Sequence, residues 1–143
     1  GLLLPDIKSL AIKLLSGNVH WHFHGYVDNQ TLMSIYQKKP YHLFLNVSSS
    51  EGVPVSIMEA MSFGIPCIAT DVGGTKEIVE NYKNGILLPL DFKPQELADW
   101  IMFFLKMDEK EYLLYRNNAR TGWDEFYNAD KNYRIFLNFL NNM

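Results

Sequence analysis

The strongest constraint on the fold is an alternation of strand-like and helix-like segments along the 143 residues. Short apolar runs rich in β-branched and aromatic residues predict strands at 19–24, 41–47, 65–70 and 85–88. Apolar positions at helical spacing predict helices at 6–15, 28–38, 54–63, 75–81, 94–107, 109–118 and 123–142. Strands that alternate with helices are typical of parallel sheets. The sequence therefore predicts an α/β fold, a doubly wound Rossmann-like parallel sheet with helices on both faces.

Length, charge and cysteine content restrict the class of protein further. A chain of 143 residues corresponds to about one domain, so we predict a single domain over residues 1–143. The net charge of -3 argues against a nucleic-acid partner, because phosphates select a basic surface. Cys67 is the one cysteine, which excludes an internal disulfide framework or a cysteine metal site. It lies in the apolar run IPCIA, so we expect a core residue and a cytoplasmic protein.

The segment after the strand at 41–47 combines polar and backbone features that suit a ligand. Ligands of doubly wound sheets bind at the carboxyl ends of the strands. Glu51 lies in the turn there, Gly52 permits close backbone approach, and Pro54 suits the first turn of a helix. Glu59 lies about 7–8 Å further along that helix. The two carboxylates therefore flank a helix start that favours anions, which suits a nucleotide sugar with hydroxyls at both ends and phosphates between them.

The turn after the strand at 65–70 is a second candidate for ligand contact. Gly73 and Gly74 allow close backbone approach, and Thr75 is a suitable N-cap for the next helix. Paired glycines are weak evidence alone, because most of them only make turns.

Residues 51–89, EGVPVSIMEAMSFGIPCIATDVGGTKEIVENYKNGILLP, resemble the signature stretch of the family 4 glycosyltransferases. The two glutamates have that family's spacing of seven intervening residues, and its E-A-M, G-x-P and D-V-G-G-x-x-E elements follow in order. The segment HFHGYV at 22–27 is similar to its F-x-G-x-V element. One departure is Val53-Pro54, where many members have Phe-Gly, because proline has no N–H to donate.

The resemblance implies the C-terminal half of a GT-B fold, with its first strand and helix missing upstream of Gly1. It implies a retaining enzyme of the group that includes bacterial polysaccharide and lipid glycosyltransferases, transferring a hexose from a nucleotide diphosphate sugar to an acceptor hydroxyl. It assigns Glu51 a catalytic role beside the donor sugar and Glu59 the ribose hydroxyls. The other implied donor-binding residues are Gly52, Val53 and Val55 through their backbone, Gly25, Tyr26 and Val27 beside the base, and Gly73 and Gly74 along the donor site.

The resemblance also implies what accompanies the domain. We expect a nucleotide sugar as substrate, no cofactor, no protein-bound metal, an N-terminal acceptor domain in the same protein, and a saccharide or lipid-linked saccharide as acceptor. With a lipid-linked acceptor the intact enzyme would lie at the inner membrane face. The lysine and arginine that clamp the diphosphate in this family would precede Gly1, so this chain alone should bind donor weakly and transfer nothing. The apolar stripe of the last helix should be exposed, because in GT-B enzymes this region returns to the N-terminal domain.

Other interpretations of the same residues stay open. A lone glutamate on a helix is usually a solvated surface residue, so the role of Glu59 depends on the whole motif. His20, His22 and His24 share one face of a strand, but no carboxylate or cysteine cluster accompanies them, which favours a structural role. The alternative function is a non-catalytic nucleotide- or nucleotide-sugar-binding module. A dinucleotide-binding domain would require a G-x-G-x-x-G run, which the sequence lacks.

Overall fold

The computed structural model describes residues 4–15, 17 and 19–143, and the chain divides into two compact units, Gly1–Ile35 and Tyr36–Met143. The helices are α1 (Leu4–Leu14), α2 (Asn29–Lys38), α3 (Val55–Met61), α4 (Thr75–Ile78), α5 (Pro94–Lys106), α6 (Glu109–Gly122), a π-helical segment (Trp123–Tyr127) and α7 (Ala129–Asn141). The strands are β1 (Phe44–Asn46), β2 (Cys67–Thr70) and β3 (Gly85–Leu88).

The described strands form a three-stranded parallel sheet in the second unit, in the order β1-β2-β3. Leu45 is paired with Ile68, and Ile68 in turn with Ile86, so β2 lies in the centre. Every residue of β2 is buried, as expected for a parallel strand covered on both faces. The parallel pairing confirms the α/β fold predicted from the alternation of segments.

Both faces of the sheet are covered by helices. Side chains alternate along a strand, so Cys67 packs with Ile57 of α3 on one face, while Ile68 packs with Phe104 of α5 on the other. Helix α6 contributes to both layers, through Ala119 on the first face and Tyr115 on the second. This arrangement confirms the doubly covered sheet.

Helix α6 is tied by side-chain hydrogen bonds to the segments that enter the strands. Tyr112 Oη donates to the carbonyl oxygen of His42 (2.8 Å), which precedes β1. Arg116 Nη2 donates to the Phe63 carbonyl (3.0 Å) before β2, and Asn118 Nδ2 donates to the Lys83 carbonyl (3.0 Å) before β3. The amino ends of the strands are therefore fixed to one helix, and the loops at their carboxyl ends are available for a ligand site.

The strand predicted at 19–24 is wrong. These residues pair with no strand in the described part of the chain, and a strand conformation depends on a hydrogen-bonded neighbour as well as on composition. Instead, Phe23 packs edge-on against Trp21 (5.3 Å between ring centroids), with Lys8 Nζ 5.9 Å from the centre of its ring. The sheet pairing also covers less of the segment predicted at 41–47, and α4 ends at Ile78 because Val79 is extended.

The single helix predicted at 123–142 is divided in two. Asn128 has an extended backbone (φ -73°, ψ 102°), and its side chain accepts a hydrogen bond from the Lys131 N–H, so it ends the π-helical segment and caps α7. The apolar stripe of α7 is exposed as expected, with Tyr133 at 69% and Leu140 at 48% of full exposure.

Within the described residues, no helix has the length and apolarity needed to cross a membrane.

The reactivity of the Cys67 thiol tests how tightly the core is packed, because this side chain is buried. The side chain is 1% exposed, and removal from water raises the pKa of the thiol far above its ordinary value. Because the thiolate is the reactive form, Cys67 should react with a thiol reagent such as DTNB at least about a hundredfold more slowly in native protein than in urea-unfolded protein. Comparable rates in the two states would contradict this packing.

Candidate functional site

The loops after β1 and β2 meet at the carboxyl edge of the sheet. The Gly74 N–H donates to the Gly52 carbonyl (2.7 Å), and Thr70 Oγ1 donates to the Ser48 carbonyl (2.5 Å). Neither the Gly52 nor the Val53 N–H donates a hydrogen bond to another described residue. The two candidate segments of the sequence therefore form one structure, with backbone donors left on its first loop.

Close packing of these two loops explains the paired glycines. Gly73 has a φ of +54°, and a Cβ at this position would overlap the carbonyl oxygen of Glu51. A Cβ on Gly74 would lie 2.8 Å from the Gly52 carbonyl oxygen and 2.9 Å from Val53 Cγ2. The close approach predicted for the glycines thus occurs between the two loops of the chain, and it determines where the Glu51 backbone lies.

A hydrogen-bonded network holds the Glu51 side chain. Asn46 Nδ2 donates to Glu51 Oε1 (3.2 Å), and Ser48 Oγ donates to Asn46 Oδ1 (2.7 Å). Glu51 is partly buried, so this hydrogen bond is only partly exposed to competition from water. Asn46 was not predicted as a site residue; the available signal in the sequence was an amide at the carboxyl end of an otherwise apolar strand.

Glu59 lies on α3, partly buried, next to an aromatic cluster. The ring centroid of Phe63, four residues after Glu59, lies 5.7 Å from that of Tyr36, and the ring centroid of Tyr41 lies 5.6 Å from that of Tyr36. Burial, together with the nearby Glu59 carboxylate, raises the pKa of Tyr36 to about 12. Tyr36 is therefore neutral at physiological pH and lies within electrostatic reach of Glu59, and this pairing was not predicted from the sequence.

The helix starts differ from those predicted. Helix α3 begins at Val55, with Pro54 as its N-cap, and has seven residues, so its dipole is weaker than that of the predicted ten-residue helix. Val55 is exposed at this helix start. Thr75 does not cap α4: Gly74 is the N-cap, and the buried Thr75 hydroxyl has no hydrogen-bond partner among the described residues. Anion binding would thus depend mainly on loop N–H groups.

The residues predicted beside the base lie in the first unit, in the loop before α2. Gly25 has a φ of +70°, Tyr26 is exposed and Val27 is half-buried. The loop ends at Asp28, whose carboxylate accepts hydrogen bonds from the N–H (2.8 Å) and hydroxyl (3.0 Å) of Thr31. These bonds hold the pKa of Asp28 below its usual value, and they make Asp28 the N-terminal cap of α2. The assignment of this loop to the base stays a prediction.

Residues 6–121, which include all of these loops, match the family model described as "Glycosyl transferases group 1". The match covers well over half of the chain. The chain belongs to the group 1 glycosyl transferases.

Sequence relatives of this group 1 domain include enzymes of surface-polysaccharide synthesis. The O-antigen biosynthesis glycosyltransferase WbnH of Escherichia coli is 42% identical over 98 residues, which is 68% of this chain and 25% of that protein. The lipopolysaccharide 1,6-galactosyltransferase of Escherichia coli K12 is 27% identical over 128 residues, which is 80% of this chain and 34% of that protein. The chain thus spans about a quarter to a third of the length of these relatives.

HepE from Anabaena, a solved structure of similar fold, was determined in complex with UDP. It aligns with a TM-score of 0.76 and 24% identity over 98% of this chain and 37% of that chain. Neighbours of this kind are GT-B glycosyltransferases, and the group 1 chain has the architecture of their C-terminal domain.

Metal-ligating side chains do not cluster in the described part of this group 1 domain: no three His, Cys, Asp or Glu residues there are placed to hold one ion. The rings of His22 and His24 pack edge-on, with their centroids 4.4 Å apart.

The paired loops bring together five of the predicted site residues: Glu51, Gly52, Val53, Gly73 and Gly74. Glu59 follows on α3.

Proposed function

We propose that this domain binds a nucleotide diphosphate sugar, and that the protein it belongs to transfers the hexose to an acceptor hydroxyl with retention of anomeric configuration. The observation that carries the proposal is the pairing of the two loops at the carboxyl edge of the sheet in a group 1 glycosyl transferase. Crevices at this edge are where doubly wound sheets bind ligands.

Glu59 is proposed to accept hydrogen bonds from the ribose hydroxyls of the nucleotide. An ionised carboxylate has two oxygens that act only as acceptors, which suits a pair of neighbouring hydroxyls. Hydrogen bonds to a charged group are the stronger kind, worth roughly 1.5–3 kcal/mol. Tyr36 cannot become a competing anion at physiological pH, because its pKa of about 12 keeps it neutral.

Glu51 is proposed to contact the donor sugar, and the loop that follows it to contact the diphosphate. The Gly52 and Val53 N–H groups make no hydrogen bond to other described residues, so they can donate to phosphate oxygens as charge develops on the departing diphosphate. Pro54 contributes no donor, and the N–H of Val55, an exposed residue at the helix start, is the next one along the chain. We place Gly73 and Gly74 behind this loop, where they fix its position.

The relatives support a sugar nucleotide as ligand and polysaccharide as the class of product. HepE was solved with UDP and also with UDP-glucose, and WbnH is named for O-antigen synthesis. We propose that an N-terminal domain of the same protein binds the acceptor. The exposed apolar face of α7 is proposed to pack on that domain.

Replacement of Glu59 by glutamine tests the donor site. Ligand-observed NMR with UDP, GDP and ADP, and with their glucose and mannose conjugates, should detect one preferred nucleotide. The Glu59→Gln variant should bind that nucleotide about tenfold more weakly, because the amide accepts fewer hydrogen bonds and carries no charge.

Glu96→Gln is the matched control, because Glu96 is an exposed glutamate in the first turn of α5 and belongs to neither of the paired loops. It should bind the nucleotide as the wild-type chain does. Absence of binding by every nucleotide, or equal affinity in Glu59→Gln and wild type, would refute the assignment of Glu59. A nucleotide that binds without any gain from an attached sugar would instead favour a nucleotide-sensing module.

A further inference from the structure

The carboxylate of Glu51 is held by a directed series of hydrogen bonds. Thr70 Oγ1 donates to the Ser48 carbonyl (2.5 Å), Ser48 Oγ donates to Asn46 Oδ1 (2.7 Å), and Asn46 Nδ2 donates to Glu51 Oε1 (3.2 Å). Thr70 is the last residue of β2 and Asn46 the last of β1, so the series starts on one strand end and runs back to the other. Both strand ends are held by ladder pairing, which makes this a rigid support.

The direction of each hydrogen bond determines how the Asn46 amide is oriented. An amide oxygen only accepts, and a hydroxyl is able to donate to it, so the Ser48 hydroxyl fixes the oxygen of Asn46 on its own side. The amide nitrogen must then face Glu51, whose ionised carboxylate can only accept. One carboxylate oxygen of Glu51 is thereby engaged, and its second oxygen has no hydrogen-bond partner among the described residues.

We propose that Asn46, held by Ser48, is a positioning residue that orients Glu51 toward the donor sugar. This inference rests on the proposed function, in which Glu51 contacts the sugar and not the nucleotide. Asn46 acts through Glu51 and needs no contact with the ligand. Its loss should therefore remove the contribution of the sugar to binding and leave the contribution of the nucleoside diphosphate.

The experiment compares the affinity of the full chain for UDP, GDP and ADP with its affinity for their glucose and mannose conjugates, by isothermal titration calorimetry. In the wild type, one conjugate should bind more tightly than its parent nucleotide. In Asn46→Leu this gain should fall by about tenfold, while the affinity for the parent nucleotide stays within about twofold. Ser48→Ala should give a smaller loss of the same kind, because it frees the amide to rotate.

A double-mutant cycle separates positioning from a general structural effect. Glu51→Gln alone should lose the sugar-dependent gain, and Asn46→Leu should cost nothing further in that background, because the two residues act as a unit. Asn118→Leu is the matched control: it also removes an amide that donates one hydrogen bond (3.0 Å), but from α6 near the opposite end of the strands. It should leave the gain unchanged.

The possible failures are distinguishable. A wild-type chain that binds no nucleotide, or gains nothing from the sugar, overturns the proposed function and this inference with it. A wild-type gain that survives in Asn46→Leu overturns the positioning role alone, and so does an additive loss in the double variant. Equal weakening of nucleotide and conjugate in Asn46→Leu would mean that Asn46 supports only the fold of the loop.

Discussion

Replacing Gly73 with alanine is expected to weaken sugar-nucleotide binding by about a hundredfold. The added Cβ would overlap the Glu51 carbonyl oxygen, and the φ of +54° is one that residues with a side chain rarely adopt. Overpacking and backbone strain each cost about 1–3 kcal/mol, so the loop of Glu51 should move away. Restoring it for the ligand would cost about 3 kcal/mol, which corresponds to about a hundredfold in Kd. Calorimetric titration with the nucleotide conjugates measures this effect.

Gly122→Ala serves as the control for Gly73→Ala. Gly122 has a helical φ of -59°, and a Cβ there would meet its nearest neighbour, Met61 Cε, at an ordinary 3.7 Å. Alanine is the better helix former by about 1 kcal/mol, so this variant should be equal to the wild type in binding and equal or higher in stability. Full donor affinity in Gly73→Ala would show that the two loops do not meet as described.

Replacing Phe104 with alanine is expected to lower the free energy of unfolding by about 3–5 kcal/mol. Phe104 is 1% exposed, and its ring packs edge-on against Tyr115 (5.1 Å between centroids) beneath β2 and β3. The cavity would lie between the sheet and helices α5 and α6. Because α6 is held in place by its hydrogen bonds to the segments before the strands, the cavity could close only partly. Urea unfolding followed by far-ultraviolet circular dichroism measures the loss as a lower midpoint at unchanged slope.

Phe103→Ala is the matched control for this cavity. Phe103 is adjacent in sequence and 38% exposed, so its truncation leaves less of a void and should cost about 1 kcal/mol. Equal losses in the two variants would mean that α5 packs on the sheet through a different face.

The sequence was sufficient to predict those elements whose periodicity is continuous and whose ends carry a recognisable residue. The bounds of β3 were predicted without error, and α5 begins at Pro94 as expected because proline suits the first helical turn. The prediction of a strand at 19–24 failed because it was based on composition alone. Aromatic and alternating residues suit a strand, but a strand also needs a neighbouring strand to pair with. The division of the last helix at Asn128 was missed because asparagine is compatible with both a helix surface and a cap.

The candidate site was predictable in its residue types but not in its mutual contacts. Glu51, Glu59, Gly73 and Gly74 stood out by spacing and by turn chemistry. That Gly73 packs on Glu51 could not be read from the sequence, because it depends on how two loops 20 or so residues apart come together. Asn46 and Ser48 were missed for a similar reason, since a polar residue at a strand end has many possible partners.

The attachment of α6 to the three segments that enter the strands has a consequence for engineering. Its anchors, Tyr112, Arg116 and Asn118, bond to backbone carbonyls, so they do not depend on which side chains those segments carry. A graft that exchanges the loops at the other end of the sheet would leave these anchors intact. On the proposed function, preference for the donor sugar should therefore be transferable between relatives by exchanging residues 47–54 and 71–74 together, whereas exchanging either loop alone would mismatch the glycines with the backbone on which they pack.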